Sequence, residues 1–182
     1  MKPAPFEYFR PRSLQEALEL LATYEGAKVL AGGQSLMAMM NMRFVQPDQI
    51  VDVNKLDLAY IRLEGGVLVI GAATRQRDIE LSPVVRQNAP LICEALSHVG
   101  HVQTRNRGTI GGSLCHLDPA AELPAVAMTL DAELVISSTK GTRVLPMRDF
   151  ALGYMTTALE PGELLTEVRI PCLGAGHGYA FE

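Results

Sequence analysis

Tryptophan is absent, and aromatic residues make up only 5% of the 182 residues. A surface that stacks nucleic-acid bases on side-chain rings has little to build with. Cysteine is scarce too: Cys93, Cys115 and Cys172 are odd in number and far apart. They form neither a CxxC pair nor a disulfide framework, and free thiols of this kind pack as small hydrophobes. No set of metal ligands is read. His98 and His101 are separated by Gly100 with no third ligand close by, and the neighbours Cys115 and His116 point in different directions on regular backbone. No catalytic Ser/His/Asp arrangement is read either. Charge of one sign is not in excess, since the net charge is −4 with 20% charged residues, which argues against nucleic-acid or membrane-surface binding. No apolar run is long enough to cross a bilayer, and Met1 to Tyr8 holds no signal-peptide core. A cytoplasmic location is expected.

Hydrophobic residues make up 48% of the chain, enough to bury a sizeable core. Ser13 to Glu16 has the spacing of a capping box, and Leu14, Ala17, Leu18 and Leu21 follow at helical spacing. Lys28 to Ala31 is a short strand running into Gly32-Gly33. Leu36 to Met42 is helical and rich in methionine, and Gln49 to Val53 is the next strand, so this unit predicts a right-handed crossover between parallel strands. Past residue 55 the pattern changes. Gly65-Gly66 and Lys140-Gly141 each separate two apolar alternating runs, which predicts two hairpins. Helices are expected over 76–81, 83–87, 90–98 and 124–130, and a last strand over 163–170. A flexible tail is expected over 174–178, and Tyr179 to Glu182 is strand-like with nothing after it. The expected architecture is α+β: a small βαβ lobe over 1–55, a larger lobe with an antiparallel sheet and helices over 56–173, and over 174–182 the start of a further domain cut short.

Two glycine-rich stretches stand out, Ala31-Gly32-Gly33-Gln34-Ser35-Leu36 and Gln103 to Ser113, the latter expected as a long loop. In the first, a strand meets a helix N-terminus, where backbone N–H groups lack partners and carry partial positive charge. Its spacing fits neither GxGxxG nor GxxxxGK[ST]. A plain turn is the alternative. In the second, Thr109-Ile110-Gly111-Gly112-Ser113 offers a hydroxyl and a run of amides, followed by His116, Asp118 and Glu122. Glu122 suits either a ribose hydroxyl pair or a helix cap. Arg105 and Arg107 suit either a phosphate or carboxylates of the surface. The two stretches are expected to face one another across an anionic ligand.

The chain resembles the flavin-binding subunit of the molybdenum hydroxylases, in particular the medium subunit of aerobic carbon monoxide dehydrogenase-type enzymes. The matching residues are Tyr8 to Pro11, Ala31 to Leu36, Ile70-Gly71-Ala72, Arg105 to Gly112, Asp118 to Pro124, Glu160 to Thr166 and Arg169 to Pro171. The resemblance implies FAD held between two lobes of the vanillyl-alcohol-oxidase type fold. It assigns the pyrophosphate to Ala31, Gly32, Gly33, Gln34, Ser35 and Leu36. Thr109, Ile110, Gly111, Gly112 and Ser113 become the second phosphate and flavin loop, Glu122 the contact to ribityl or ribose hydroxyls, and Leu165 a residue packing on the flavin side. The family usually has Asn or Asp where Ser113 stands, and it continues with a basic run and a further domain. The implied role is electron transfer. A small partner with [2Fe-2S] clusters delivers electrons, a large partner with molybdopterin oxidises the substrate, and the flavin passes electrons to an external acceptor. The rival readings are a self-contained flavin oxidoreductase and a flavin-free interaction module.

Overall fold

The computed structural model describes every residue except Ala175. A short strand, β1 (Glu7–Phe9), leads into α1 (Leu14–Thr23). The Ser13 hydroxyl accepts the Glu16 N–H at 3.2 Å, as the capping pattern predicts. The Glu16 carboxylate, however, accepts the N–H of Arg12 at 2.7 Å, one residue earlier than the reciprocal bond of the usual box. Gly26 turns the chain with φ of +89°. β2 (Lys28–Leu30), α2 (Leu36–Asn41) and β3 (Gln49–Asp52) then follow. The three strands lie in the order β1-β3-β2, with both pairings parallel. The order β2–α2–β3 and the parallel pairing of its two strands match their expectation. β1 was not foreseen, because three residues with Tyr8 half exposed carry no alternation signal.

The second part begins with the hairpin of β4 (Ile61–Glu64) and β5 (Val67–Gly71). Gly65 and Gly66 both have positive φ, 57° and 82°, as a two-residue turn between twisted strands requires. Helices α3 (Gln76–Leu81), α4 (Pro83–Asn88), α5 (Pro90–His98), α6 (Val102–Arg107), α7 (Ile110–His116) and α8 (Glu122–Thr129) follow. Ser82 caps α4 through Val85 N–H at 3.3 Å, with Pro83 in its first turn. The chain returns as β6 (Glu133–Ser138) and β7 (Gly141–Pro146), then α9 (Met147–Phe150), the small hairpin β8 (Ala151–Gly153) and β9 (Thr156–Thr157), and finally β10 (Leu164–Pro171).

The larger sheet has the order β4-β5-β10-β6-β7 and is antiparallel throughout. Its last strand in sequence is central in space. Leu68, Ile70, Leu134, Ile136, Val168 and Ile170 form one core with Ile79, Ile92, Leu96, Leu114 and Val126 from the helices. A second core joins Ala17, Leu18 and Leu21 of α1 to Val51, Leu56, Leu58, Ala73 and Leu164. Leu164 and Leu165, neighbours on one strand, thus serve different cores. Alternation along the strand sends them to opposite faces.

Two expectations are corrected. The stretch from Gln103 to Ser113 is not a long loop, since α6 and α7 leave only Gly108 and Thr109 outside a helix. Its glycines reflect close packing: a Cβ on Gly111 would stand 2.7 Å from the Cβ of Ala72. Tyr179 to Glu182 form no strand, and Phe181 instead lies against His98, with ring centroids 5.3 Å apart. The flexible tail expected over 174–178 falls partly on Ala175, outside the described residues. No described helix is long and apolar enough to cross a membrane.

Phe150 of α9 is fully buried in the core formed with the larger sheet and the helices. Phe150→Ala is expected to destabilise the fold by about 3–5 kcal/mol. Urea denaturation checks this, and an unshifted midpoint would contradict the core as described.

Candidate functional site

The parallel strand β2 ends at Leu30 and delivers the backbone to the N-terminus of α2. Gly33 takes the left-handed conformation, φ +72°, and Ser35 enters the helix without a side-chain cap. As a result the backbone N–H groups of Gly32, Gly33, Gln34, Ser35 and Leu36 have no acceptor among the described residues. Consecutive donors without partners form a concave anion trap. The Gln34 amide turns back to the Gly32 carbonyl at 3.4 Å, a marginal contact.

The second stretch behaves differently. The Ile110 N–H donates to the Thr74 carbonyl at 3.2 Å and the Gly111 N–H to the Ala72 carbonyl at 2.9 Å. Gly112 N–H goes to the Thr109 hydroxyl at 3.0 Å and Ser113 N–H to the Thr109 carbonyl at 3.1 Å. The first turn of α7 has therefore used its own amides. Thr109 is an N-cap, and the segment is riveted to residues 72–76, with a further bond from Gln76 N–H to the Gly108 carbonyl at 2.8 Å. What it presents outward is Gly112, which is exposed, and the half-buried Ser113. It is a rigid wall beside the open amides, not a second amide cradle.

The two stretches do meet. A Cβ on Gly32 would fall onto the Arg107 carbonyl oxygen and 2.8 Å from the Gly108 Cα. Around this contact lies a polar network that the sequence reading missed. The Asn54 side-chain amide donates to the Ala31 carbonyl at 2.9 Å, and its N–H groups also reach Asp52. The Tyr8 hydroxyl donates to the other Asp52 oxygen. The Arg75 guanidinium donates to Asn54 Oδ1 at 2.5 Å and to the Arg107 carbonyl. Burial, and after it the nearby Arg107, lower the Arg75 pKa, while Asp78 and Asp52 oppose the shift. Isolated polar residues such as Asn54 and Arg75 give no spacing signal, although Arg75 lies three residues past the Ile70-Gly71-Ala72 stretch.

The remaining candidates are dispersed. Glu122 is the first residue of α8 and half-buried, and its carboxylate has no hydrogen-bond or ion-pair partner among the described residues. The helix cap is Ala121, without a side-chain bond, so Glu122 is not held as a cap. Leu165 is 3% exposed and belongs to the principal core. Asp118 accepts the Ala120 N–H at 2.9 Å in a local turn. Arg105 is committed elsewhere. It is buried, with Nε 2.8 Å from Glu80 and Nη1 2.8 Å from the Val99 carbonyl, whereas Arg107 is exposed. Burial pushes the Cys115 thiol up to about 12, which makes it inert at neutral pH. A groove of about 630 Å³ lies apart from the glycine stretches, between the end of α1, the β6–β7 turn and residues 160–163.

The chain is similar to known proteins along nearly its whole length. Residues 4–173 match the family described as the FAD binding domain in molybdopterin dehydrogenase. The 6-hydroxypseudooxynicotine dehydrogenase complex subunit alpha of Paenarthrobacter nicotinovorans is 43% identical over 100% of this chain, with 62% of that protein covered. The carbon monoxide dehydrogenase medium chain of Hydrogenophaga pseudoflava is 42% identical over 100% of this chain and 64% of its own. A solved structure of that organism's carbon monoxide dehydrogenase, lacking the Mo-pyranopterin moiety of the molybdenum cofactor, superposes with a TM-score of 0.98 at 43% identity, covering 100% of this chain and 64% of that one. The chain thus spans a little under two thirds of the length of these relatives.

Arg105 and Arg77 both pair with Glu80, at 2.8 and 2.9 Å. Burial raises the Glu80 pKa, but the hydrogen bonds from Arg77 and Arg105 outweigh it and hold the carboxyl below its ordinary range. A folded-state pKa below the unfolded one stabilises the fold above the ordinary carboxylate range, and this stability is lost as pH falls through the depressed value. Glu80→Gln is expected to cost about 1–3 kcal/mol at neutral pH and to flatten the acid limb of the stability curve. Denaturant titrations across pH check this, and an unchanged acid limb would contradict the assignment.

Proposed function

We propose a function from one premise: the chain belongs to the family of FAD-binding domains of molybdopterin dehydrogenases. The protein binds FAD and serves as the flavin subunit of a molybdenum-containing hydroxylase or dehydrogenase. The observation that carries this is the run of open amides from Gly32 to Leu36, set against the rigid Gly108–Ser113 segment. An anionic diphosphate suits such donors at the end of a parallel strand, where helix N-terminus and backbone both favour negative charge.

In this reading Ala31 to Leu36 hold the diphosphate. Thr109 to Ser113 form the opposing wall, with the Ser113 hydroxyl half-buried at its surface. The Glu122 carboxylate takes sugar or ribityl hydroxyls, since it is half-buried and has no partner among the described residues. Leu165, in the core on β10, is read as packing on the flavin side of that strand. The division near residue 55 is read as the boundary between two lobes that share the ligand. Bound FAD supplies a carrier of one or two electrons. The chain's own residues bind it, orient it and shape its electrostatic surroundings.

The complete protein works within a hetero-oligomer. A partner with [2Fe-2S] clusters supplies electrons, a molybdopterin partner oxidises the substrate, and an external acceptor removes the electrons. The relatives' printed names, a dehydrogenase complex subunit and a medium chain, support the multi-subunit assembly. No side chain of this chain acts on the organic substrate.

The test is the visible absorption and flavin fluorescence of the purified protein, with and without added FAD. Stoichiometric binding with quenched fluorescence is expected, and absence of binding would contradict the reading. Glu122→Ala is expected to weaken FAD about tenfold or more through loss of a charge-assisted hydrogen bond, with little change in melting temperature. Unchanged affinity would remove Glu122 from the site.

A further inference from the structure

We propose that Arg75 is a positioning residue, acting with Asn54 as a clamp that sets the spacing between the two glycine stretches. The inference rests on the FAD reading and deepens it. Each stretch is anchored to its own surroundings. The first hangs on β2 and β3 through Asn54, whose amide holds the Ala31 carbonyl at 2.9 Å and is buttressed by Asp52 at 2.5 Å. The second hangs on residues 72–76 through backbone bonds to Ala72, Thr74 and Gln76.

Among the described residues, one side chain hydrogen-bonds to both systems. The Arg75 guanidinium reaches Asn54 Oδ1 at 2.5 Å with Nη2 and the Arg107 carbonyl with Nη1. The second acceptor is the same carbonyl oxygen that a Cβ on Gly32 would strike. Arg75 therefore holds the peptide against which the first stretch is seated. A guanidinium is planar, with its donors in a fixed fork, so two acceptors bound to it are kept at a set separation. Lys retains the charge but has a single flexible ammonium, and it cannot impose that separation. This difference separates positioning from simple attraction of a diphosphate. Arg75 is half-buried and lies at the N-terminus of α3, so its backbone is fixed by the same helix that carries Gln76 onto Gly108. In the absence of the clamp, the open amides and the wall formed by α7 are free to drift apart by small amounts. Such drift weakens a ligand that must touch both.

The test measures FAD dissociation constants for the wild-type protein, Arg75→Met, Arg75→Lys, Asn54→Ala and the Arg75→Met/Asn54→Ala double variant. Flavin fluorescence quenching provides the readout, under conditions where circular dichroism shows each protein folded. Wild type is expected to bind. Arg75→Met and Asn54→Ala each weaken binding about tenfold, as loss of a hydrogen bond to a charged group implies. Arg75→Lys is expected to weaken it nearly as much. Because both residues act through one bridge, the double variant is expected to match the weaker single variant and not to multiply the two losses. Should Arg75→Met fail to fold, Arg75→Lys and Asn54→Ala carry the test. Full rescue by Lys would show that charge alone matters and would overturn the clamp. So would wild-type affinity in Arg75→Met, or a double variant near a hundredfold weaker, which is the additive result for independent sites. If the wild-type protein takes up no FAD, the reading of the site falls and the clamp with it. If it binds while Arg75→Met and Asn54→Ala bind equally well, the clamp alone falls.

Discussion

Gly32 lies so close to the peptide between Arg107 and Gly108 that no side chain fits between them. That backbone contact joins the part of the molecule built on the parallel strands to the part built on the antiparallel sheet. Its geometry depends on glycine at both positions, since a Cβ on Gly108 would itself stand 2.7 Å from the Gln76 side-chain oxygen. Around it the two stretches divide their labour. The first keeps its amides open, and the second uses its amides to fasten α7 to Ala72 and Thr74. A binding cleft needs both properties: a surface with free donors, and a wall that does not move when the ligand arrives.

The wall is rigid because of where the chain ends its sheet. β10 is last among the strands yet sits between β5 and β6, and a bulge between Leu165 and Glu167 brings the Thr166 carbonyl to Ala72 N–H at 2.9 Å. Ala72 in turn accepts from Gly111. The site thus inherits its order from the central strand of the larger sheet. The same strand ties the two cores together, with Leu164 in one and Leu165 in the other. The Arg143–Glu163 ion pair at 2.7 Å fixes the turn that feeds it. Contacts between residues distant in sequence, such as Tyr60 with Glu167 at 2.6 Å, dominate this region.

Much of this was legible in the sequence. The hairpins at Gly65-Gly66 and Lys140-Gly141, the Ser13 and Ser82 caps and the β2–α2–β3 unit each carry a local signal of turn chemistry or periodicity. The approach of the two glycine stretches was also readable, from their composition. Other features, besides the short β1, were not. The segment after Gln103 reads as a loop because glycine is a poor helix former, and only the packing of Gly111 against Ala72 reveals why α7 tolerates it. Arg105 reads as an anion ligand or a surface residue, whereas its partner Glu80 lies on a different helix, 25 residues away. Asn54 and Arg75 have no pattern at all, since what unites them is a junction formed only by tertiary structure.

In the proposed function the first stretch, and not the first turn of α7, supplies the backbone donors for an anionic cofactor. The direct measurement is amide chemical-shift mapping of the isotopically labelled protein during titration with FAD. Downfield shifts and slowed exchange are expected at Gly32, Gly33, Gln34, Ser35 and Leu36, with the Ile110 to Ser113 amides nearly unmoved because their acceptors are already internal. Large changes at Ile110 to Ser113 with none from Gly32 to Leu36 would contradict it.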